Sequence, residues 1–187
     1  MSVYKIIFAG PVGAGKTTSI ASISDIEPFT TEEFATDEVR DLKDKTTVAM
    51  DYGLMALANG EHIHLYGVPG QVRFDFMWEI LVEGGIGLIL LLNNENPTPL
   101  EEMAFYLDRF KDFIDRTALA VGVTRMQPGS GPGLDDYAAV LAQRGMQAPV
   151  FEVDGRKPED VVTLVQALLY TLDPGLLQPA ELAGKAA

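Results

Sequence analysis

Residues 10–17, Gly-Pro-Val-Gly-Ala-Gly-Lys-Thr, constrain the fold of this chain more than any other segment. They match the spacing G-x-x-x-x-G-K-[ST]. They sit between an apolar, β-branched run at 3–8 and a helix-like stretch at 16–24. Glycines let such a loop curl until consecutive backbone N–H groups point inward as an anion nest. The following helix adds the partial positive charge of its N-terminus at the same place. Val12, Gly13, Ala14, Gly15, Lys16, Thr17 and Thr18 are therefore candidate phosphate contacts. Lys16 would bridge the β- and γ-phosphates of a nucleoside triphosphate, and the Thr17 hydroxyl would ligate Mg²⁺.

A strand running into such a loop and out through a helix demands an α/β fold, and the rest of the chain supplies one. Runs at 47–58 and 61–68 flank Asn59-Gly60, the preferred two-residue hairpin turn, and predict an antiparallel pair. Residues 85–92 (GIGLILLL) predict a central parallel strand buried on both faces. Strands are also expected at 118–123 and 149–153, and helices at 71–83, 100–117, 134–144 and 158–172. The order β-α-β-β-α-β-α-β-α-β-α implies a three-layer sandwich: a six-stranded, mostly parallel sheet with one antiparallel edge strand. With 187 residues the chain suits one domain, expected over 1–174 with a flexible tail at 175–187. Ligands of such sheets bind at the carboxyl ends of the strands, where the candidate residues fall.

Composition narrows the partners. A net charge of -13 repels nucleic acid and anionic membrane, so neither is expected as a partner. The absence of cysteine removes thiol nucleophiles, disulfides and Cys-ligated zinc. No run approaches the ~18 apolar residues that span a bilayer. Ser2 excludes the glycine that myristoylation needs, and the start lacks a basic leader. A cytoplasmic protein is the expectation.

Two further segments bear on the phosphate site. Thr47 enters the second strand after a long polar loop, and Val68-Pro69-Gly70-Gln71 leaves the third. A Thr hydroxyl on the metal and a Gly N–H on the γ-phosphate hold two loops only while that phosphate is present. Gln71 would orient the attacking water. Thr47 and Thr17 are thus the candidate metal ligands, and Gln71 and Lys16 the candidate catalytic residues. A small-molecule kinase would need an Arg-rich lid, and the chain has no Arg cluster.

Together GPVGAGKTT, DKTTVAMDYG and HLYGVPGQVRFDFMWEIL resemble the Ras-like small GTPases of bacteria. The resemblance is nearest to those of the gliding-motility polarity switch and of actinobacterial conservon operons, often paired with roadblock-type partners. It covers residues 4–172 and is specific through Leu92. It implies a P-loop NTPase fold and a GTP/GDP cycle with Mg²⁺, with Thr47 and Gly70 as the switch I and switch II residues and Gln71 as the catalytic Gln.

Three departures qualify that reading. Gly67 stands where many such GTPases carry an acidic residue that holds a metal-bound water; Asp51 on the paired strand either substitutes or is a plain strand carboxylate. Val12 stands where Gly is frequent, and its branched side chain near the γ-phosphate predicts slow hydrolysis. Thr124-Arg125-Met126-Gln127 fills the slot of Asn-Lys-x-Asp, and a carboxamide cannot accept from both N1–H and N2–H of guanine. Guanine preference then rests on the resemblance, on Arg125 stacking against the base, and on a backbone N–H of Asp154-Gly155-Arg156 meeting O6; adenine stays open. A partner protein, of the roadblock type by resemblance, is expected around Phe74, Phe76, Trp78 and Ile80, or else that helix is buried on both sides. Arg40 is either an internal arginine finger or a solvated side chain, and His62 and His64 read as a polar sheet face. A scaffold that binds nucleotide but scarcely hydrolyses it is the competing function.

Overall fold

The computed structural model describes residues 3–30, 50–57, 60–71 and 78–172. Seven strands form one sheet: β1 (Val3–Ala9), β2 (Phe29–Thr30), β3 (Asp51–Ala56), β4 (His62–Gly67), β5 (Gly87–Asn93), β6 (Ala118–Thr124) and β7 (Val150–Glu152), in the order β2-β3-β4-β1-β5-β6-β7. Strands β4, β1, β5, β6 and β7 are mutually parallel, while β3 runs antiparallel to both its neighbours. The sheet thus differs from the expected six strands: Phe29–Thr30 pairs outside β3, which is no longer the edge. Two residues are too few to carry a period-2 pattern, so the sequence reads them as loop.

The helices are α1 (Lys16–Ile23), α2 (Trp78–Val82), α3 (Pro99–Arg109), α4 (Lys111–Ile114), α5 (Leu134–Gln143) and α6 (Pro158–Leu172). Strand alternation divides the core in two. Ile6, Phe8, Ile89 and Leu91 face α1 and α6, where Ile20, Leu164 and Leu168 cover them. Ile7, Ala9, Leu88 and Leu90 face the other way, onto Trp78, Met103, Leu107 and Tyr137 of α2, α3 and α5. All seven residues of β5 and of β6 are buried, as strands covered on both faces must be.

The helix expected over 100–117 is broken at Phe110, whose backbone (φ -96, ψ 10) leaves the helical region. Its ring is stacked on Trp78 with centroids 5.1 Å apart, and that contact fixes the side chain while the chain tightens into α4. The expected helix at 71–83 is described only from Trp78, and the tail at 175–187 lies outside the described residues.

Candidate functional site

The 10–17 loop is fastened from beneath. Gly10 has φ +138, and a Cβ there would lie 2.0 Å from the Leu91 carbonyl oxygen, so the chain can leave β1 this close to β5 only through glycine. Thr124 Oγ1, at the end of β6, lies 3.0 Å from the Leu92 carbonyl and 3.2 Å from that of Ala14. The buried hydroxyl ties the loop to the strand ends; it is a brace as well as a wall of the cleft above it.

Gly15, with φ +94, is the N-cap of α1, and no side chain caps that helix or places a carboxylate in its first turn. Among the described residues, the backbone N–H groups of Val12, Gly13 and Gly15 make no hydrogen bond. Unused donors of the loop thus lie beside the positive end of α1. Lys16 supplies the full charge. Its ammonium donates to the carbonyls of Gly10 (2.7 Å) and Pro11 (2.8 Å), and the side chain is only 8% exposed. Burial pushes its pKa down to about 8, with the negative charge of Asp51 pulling the other way.

Gly70 closes the far side. A Cβ on it would sit 2.7 Å from the Val12 nitrogen and 2.8 Å from Lys16 Nζ, so only glycine brings this segment so near the loop. Two aromatic residues hold it there: Trp78 Nε1 donates to the Pro69 carbonyl (3.1 Å) and the Tyr106 hydroxyl to the Gly70 carbonyl (3.0 Å). The next residue, Gln71, is exposed, as is Val12.

The Thr17 hydroxyl donates to Asp51 Oδ2 at 2.6 Å. Asp51 is the register partner of Gly67 across β3–β4. A Cβ on Gly67 would meet Asp51 Cβ and Oδ2 at 3.0 Å and Ile20 Cδ1 at 3.1 Å. The carboxylate therefore leans from β3 over the bare glycine of β4 to reach Thr17. Two oxygens of the kind a hard divalent cation takes converge here, so the residues present fit Mg²⁺. Thr47, the other expected metal ligand, and Arg40 lie outside the described residues.

Beside the loop a cleft of about 730 Å³, a size suited to a nucleotide-sized ligand, opens over the carboxyl ends of β6 and β7. Gly15 and Thr18 of the loop and α1, Thr124 and Arg125 at the end of β6, and Asp154, Gly155 and Arg156 beyond β7 line it. Gly155 lies close beside α1; a Cβ there would be 2.6 Å from Ser19 Oγ. The sequence-predicted residues of 12–18, 124–125 and 154–156 are thus brought together.

Of the Asp154-Gly155-Arg156 loop, expected to offer a backbone N–H to a base, the Asp154 N–H donates to Asp160 Oδ2 (2.9 Å) and the Arg156 N–H to Asp154 Oδ1 (3.1 Å), and the Asp154 carboxylate is clamped by Arg156 through Nε (2.8 Å) and a second guanidinium nitrogen (2.7 Å). That pairing holds the Asp154 carboxyl far below the usual carboxylate range. Trp78, expected at a partner surface or else in a helix buried on both sides, is 2% exposed, its ring stacked against both Tyr106 and Phe110. Ile80 is 68% exposed, whereas Phe74 and Phe76 lie outside the described residues. The Tyr52 hydroxyl and His64 Nδ1 are 2.8 Å apart, and no cluster of metal-ligating His, Cys, Asp or Glu occurs among the described residues.

Sequence reasoning missed Glu95, which lines the same cleft two residues beyond β5. Its carboxylate accepts from Gln127 Nε2 (2.9 Å) and stands 3.5 Å from the Arg125 guanidinium. A carboxylate at the carboxyl end of a buried strand, in Asn93-Asn94-Glu95, was the available signal.

These features define the class: an α/β protein with a glycine-rich loop and an adjoining cleft at the carboxyl edge of a mostly parallel sheet. The chain is 26% identical over 136 residues to the intraflagellar transport protein 22 homolog of Bos taurus, covering 72% of this chain and 71% of that protein. It is 29% identical over 99 residues to an uncharacterized protein of Methanocaldococcus jannaschii, covering 52% of this chain and about half (56%) of the archaeal one. No family model matches the chain. Among the described residues, no helix is long and apolar enough to cross a membrane.

Proposed function

We propose that this chain is a small GTP-binding switch protein of the Ras-like P-loop type, with slow, partner-stimulated GTP hydrolysis. The observation that carries the reading is the buried Lys16 ammonium, held by the Gly10 and Pro11 carbonyls at the uncapped start of α1, with Gly70 against it. A desolvated cation beside unused backbone donors is costly unless an anion completes it. A β,γ-diphosphate group has the size and charge to do so. The motif resemblance of the sequence supports the same reading.

Bound Mg²⁺ would supply charge neutralisation between the β- and γ-phosphates. Thr17 and Asp51 would hold it, Asp51 taking from β3 the role that Gly67 leaves open on β4; Thr47 is a further candidate ligand. Lys16 and the loop amides would stabilise charge developing on the γ-phosphoryl oxygens, and Gln71 would place the attacking water. The exposed side chain of Val12 would crowd that water, which supports a low intrinsic rate. Exposed Ile80, with Phe74 and Phe76 before it in sequence, favours a protein partner at this edge.

The test is binding of GTP, GDP, ATP and ADP, with Mg²⁺, to the purified chain and to Lys16→Ala. The reading expects guanine nucleotides to bind tightest and Lys16→Ala to lose at least ~100-fold affinity, as removal of a buried charge-assisted contact implies. Unchanged affinity in that variant would refute it. A second reading, a nucleotide-binding scaffold with negligible turnover, is favoured by Gly67 and Val12; equal single-turnover rates for wild type and Gln71→Ala would select it.

A further inference from the structure

We infer that Glu95 reads the nucleotide base, supplying from the β5 end the carboxylate that the Thr124–Gln127 segment lacks; this rests on the function proposed above. Recognition of guanine over adenine needs an acceptor pair for N1–H and the N2 amino group. Gln127 has a single acceptor atom beside its NH₂ group, and that NH₂ already donates to Glu95 Oε1 (2.9 Å). Each Glu95 oxygen keeps lone-pair capacity after its present contact, and the side chain is 46% exposed, into the cleft that Gly15 and Thr18 close at the phosphate end.

The position of Glu95 is built rather than accidental. Its N–H donates to Asn93 Oδ1 (3.0 Å), fixing the turn out of β5. Next to it, buried Asn94 accepts from the Tyr137 hydroxyl (2.6 Å) and donates to the Ser130 carbonyl (3.2 Å). Arg125, with φ +56, turns the chain so that its guanidinium and the Gln127 amide flank the Glu95 carboxylate. Gln127 is then a positioning residue: it aims the carboxylate instead of touching the base edge. Adenine presents an acceptor at N1 where guanine presents a donor, so a carboxylate at this point repels it.

The experiment measures GDP, IDP, XDP and ADP binding, with Mg²⁺, to wild type, Glu95→Gln and Gln127→Ala, each checked for an unchanged melting transition. Wild type should prefer GDP over IDP, which lacks the N2 amino group, and over ADP. Glu95→Gln should lose about 10–100-fold in GDP affinity, the scale of a charged hydrogen bond. It should gain XDP affinity, because the new amide can donate to O2 of xanthine while its oxygen accepts from N1–H. Gln127→Ala, which frees the carboxylate from its aim, should lower the GDP:ADP ratio while the melting transition stays as in wild type, a change in selectivity that a purely structural role would not produce. A GDP preference that survives Glu95→Gln intact would overturn the assignment of Glu95 and leave the GTP-binding function standing. A wild-type chain that binds ADP as tightly as GDP, or binds neither, would instead remove the function on which the assignment rests.

Discussion

Placing a carboxylate at position 67 should damage this protein. Gly67 is buried, and the Cβ of any replacement would lie 3.0 Å from Asp51 Cβ and Oδ2 and 3.1 Å from Ile20 Cδ1. Asp51 cannot swing aside without releasing its 2.6 Å bond from Thr17. Gly67→Ala should therefore cost about 1–3 kcal/mol as overpacking. Gly67→Asp adds a second negative charge within roughly 4–5 Å of the first, about 3–4 kcal/mol at an effective dielectric near 20. Because Asp51 is half-buried, screening reduces that to about 1–2 kcal/mol. The sum, roughly 2–5 kcal/mol, corresponds to a melting temperature lowered by about 5–15 °C in a domain of this size. Like-charge repulsion raises the pKa of the introduced carboxyl, so its share of the penalty is present at neutral pH and fades as pH falls toward about 4. Thermal melts of both variants at pH 7 and pH 4, with and without Mg²⁺, separate the steric part from the electrostatic part. The two variants should converge at low pH, and Mg²⁺ should narrow the gap at pH 7. A Gly67→Asp protein as stable as wild type at pH 7 in chelator would show that Asp51 does not lean over Gly67.

Other perturbations follow from the same contacts. Lys16, with its pKa depressed by burial to about 8, opposes folding while charged, so the nucleotide-free protein should gain stability as pH rises from about 8 toward 10.5. Phosphates favour its charged form, so nucleotide binding should take up ~0.9 proton at pH 9 but only ~0.1 at pH 7, with ~10-fold weaker affinity at pH 9; calorimetry in buffers of different ionisation heat measures this, and zero uptake at pH 9 would contradict it. Asp51→Asn keeps an acceptor for Thr17 but loses the charge, and should cut the enhancement of nucleotide binding by Mg²⁺ by about 10–100-fold; titrating Mg²⁺ against bound nucleotide tests it, with an unaltered midpoint as the negative result. Tyr106→Phe removes the hydroxyl that grips the Gly70 carbonyl and should cost about 1 kcal/mol in urea denaturation; no loss would mean that water replaces the bond.

Local pattern and long-range register contributed unequally to what could be read in advance. The 10–17 loop, the β3–β4 hairpin and the buried β5 announce themselves through glycine spacing, Asn59-Gly60 and an unbroken apolar run, each a property of neighbours in sequence. The pairing of Asp51 with Gly67 depends on strand register across the hairpin, so the sequence raised Asp51 only as an alternative. Glu95 and Gln127 lie 32 residues apart and meet only because β5 and β6 end side by side. Trp78 looked like one more aromatic on an overly apolar helix; its burial follows from the rings of Tyr106 and Phe110, on and just beyond α3, which both stack against the indole. The strand at Phe29–Thr30 had no periodicity to betray it.

The chain contains one tryptophan, and its indole N–H is bonded to the carbonyl immediately before Gly70. Indole emission is therefore wired to the segment that abuts the phosphate loop, without any label. If an incoming γ-phosphate draws Gly70 away from this grip, the colour or brightness of the unmodified protein will change between di- and triphosphate, and stopped-flow fluorescence will time the exchange directly.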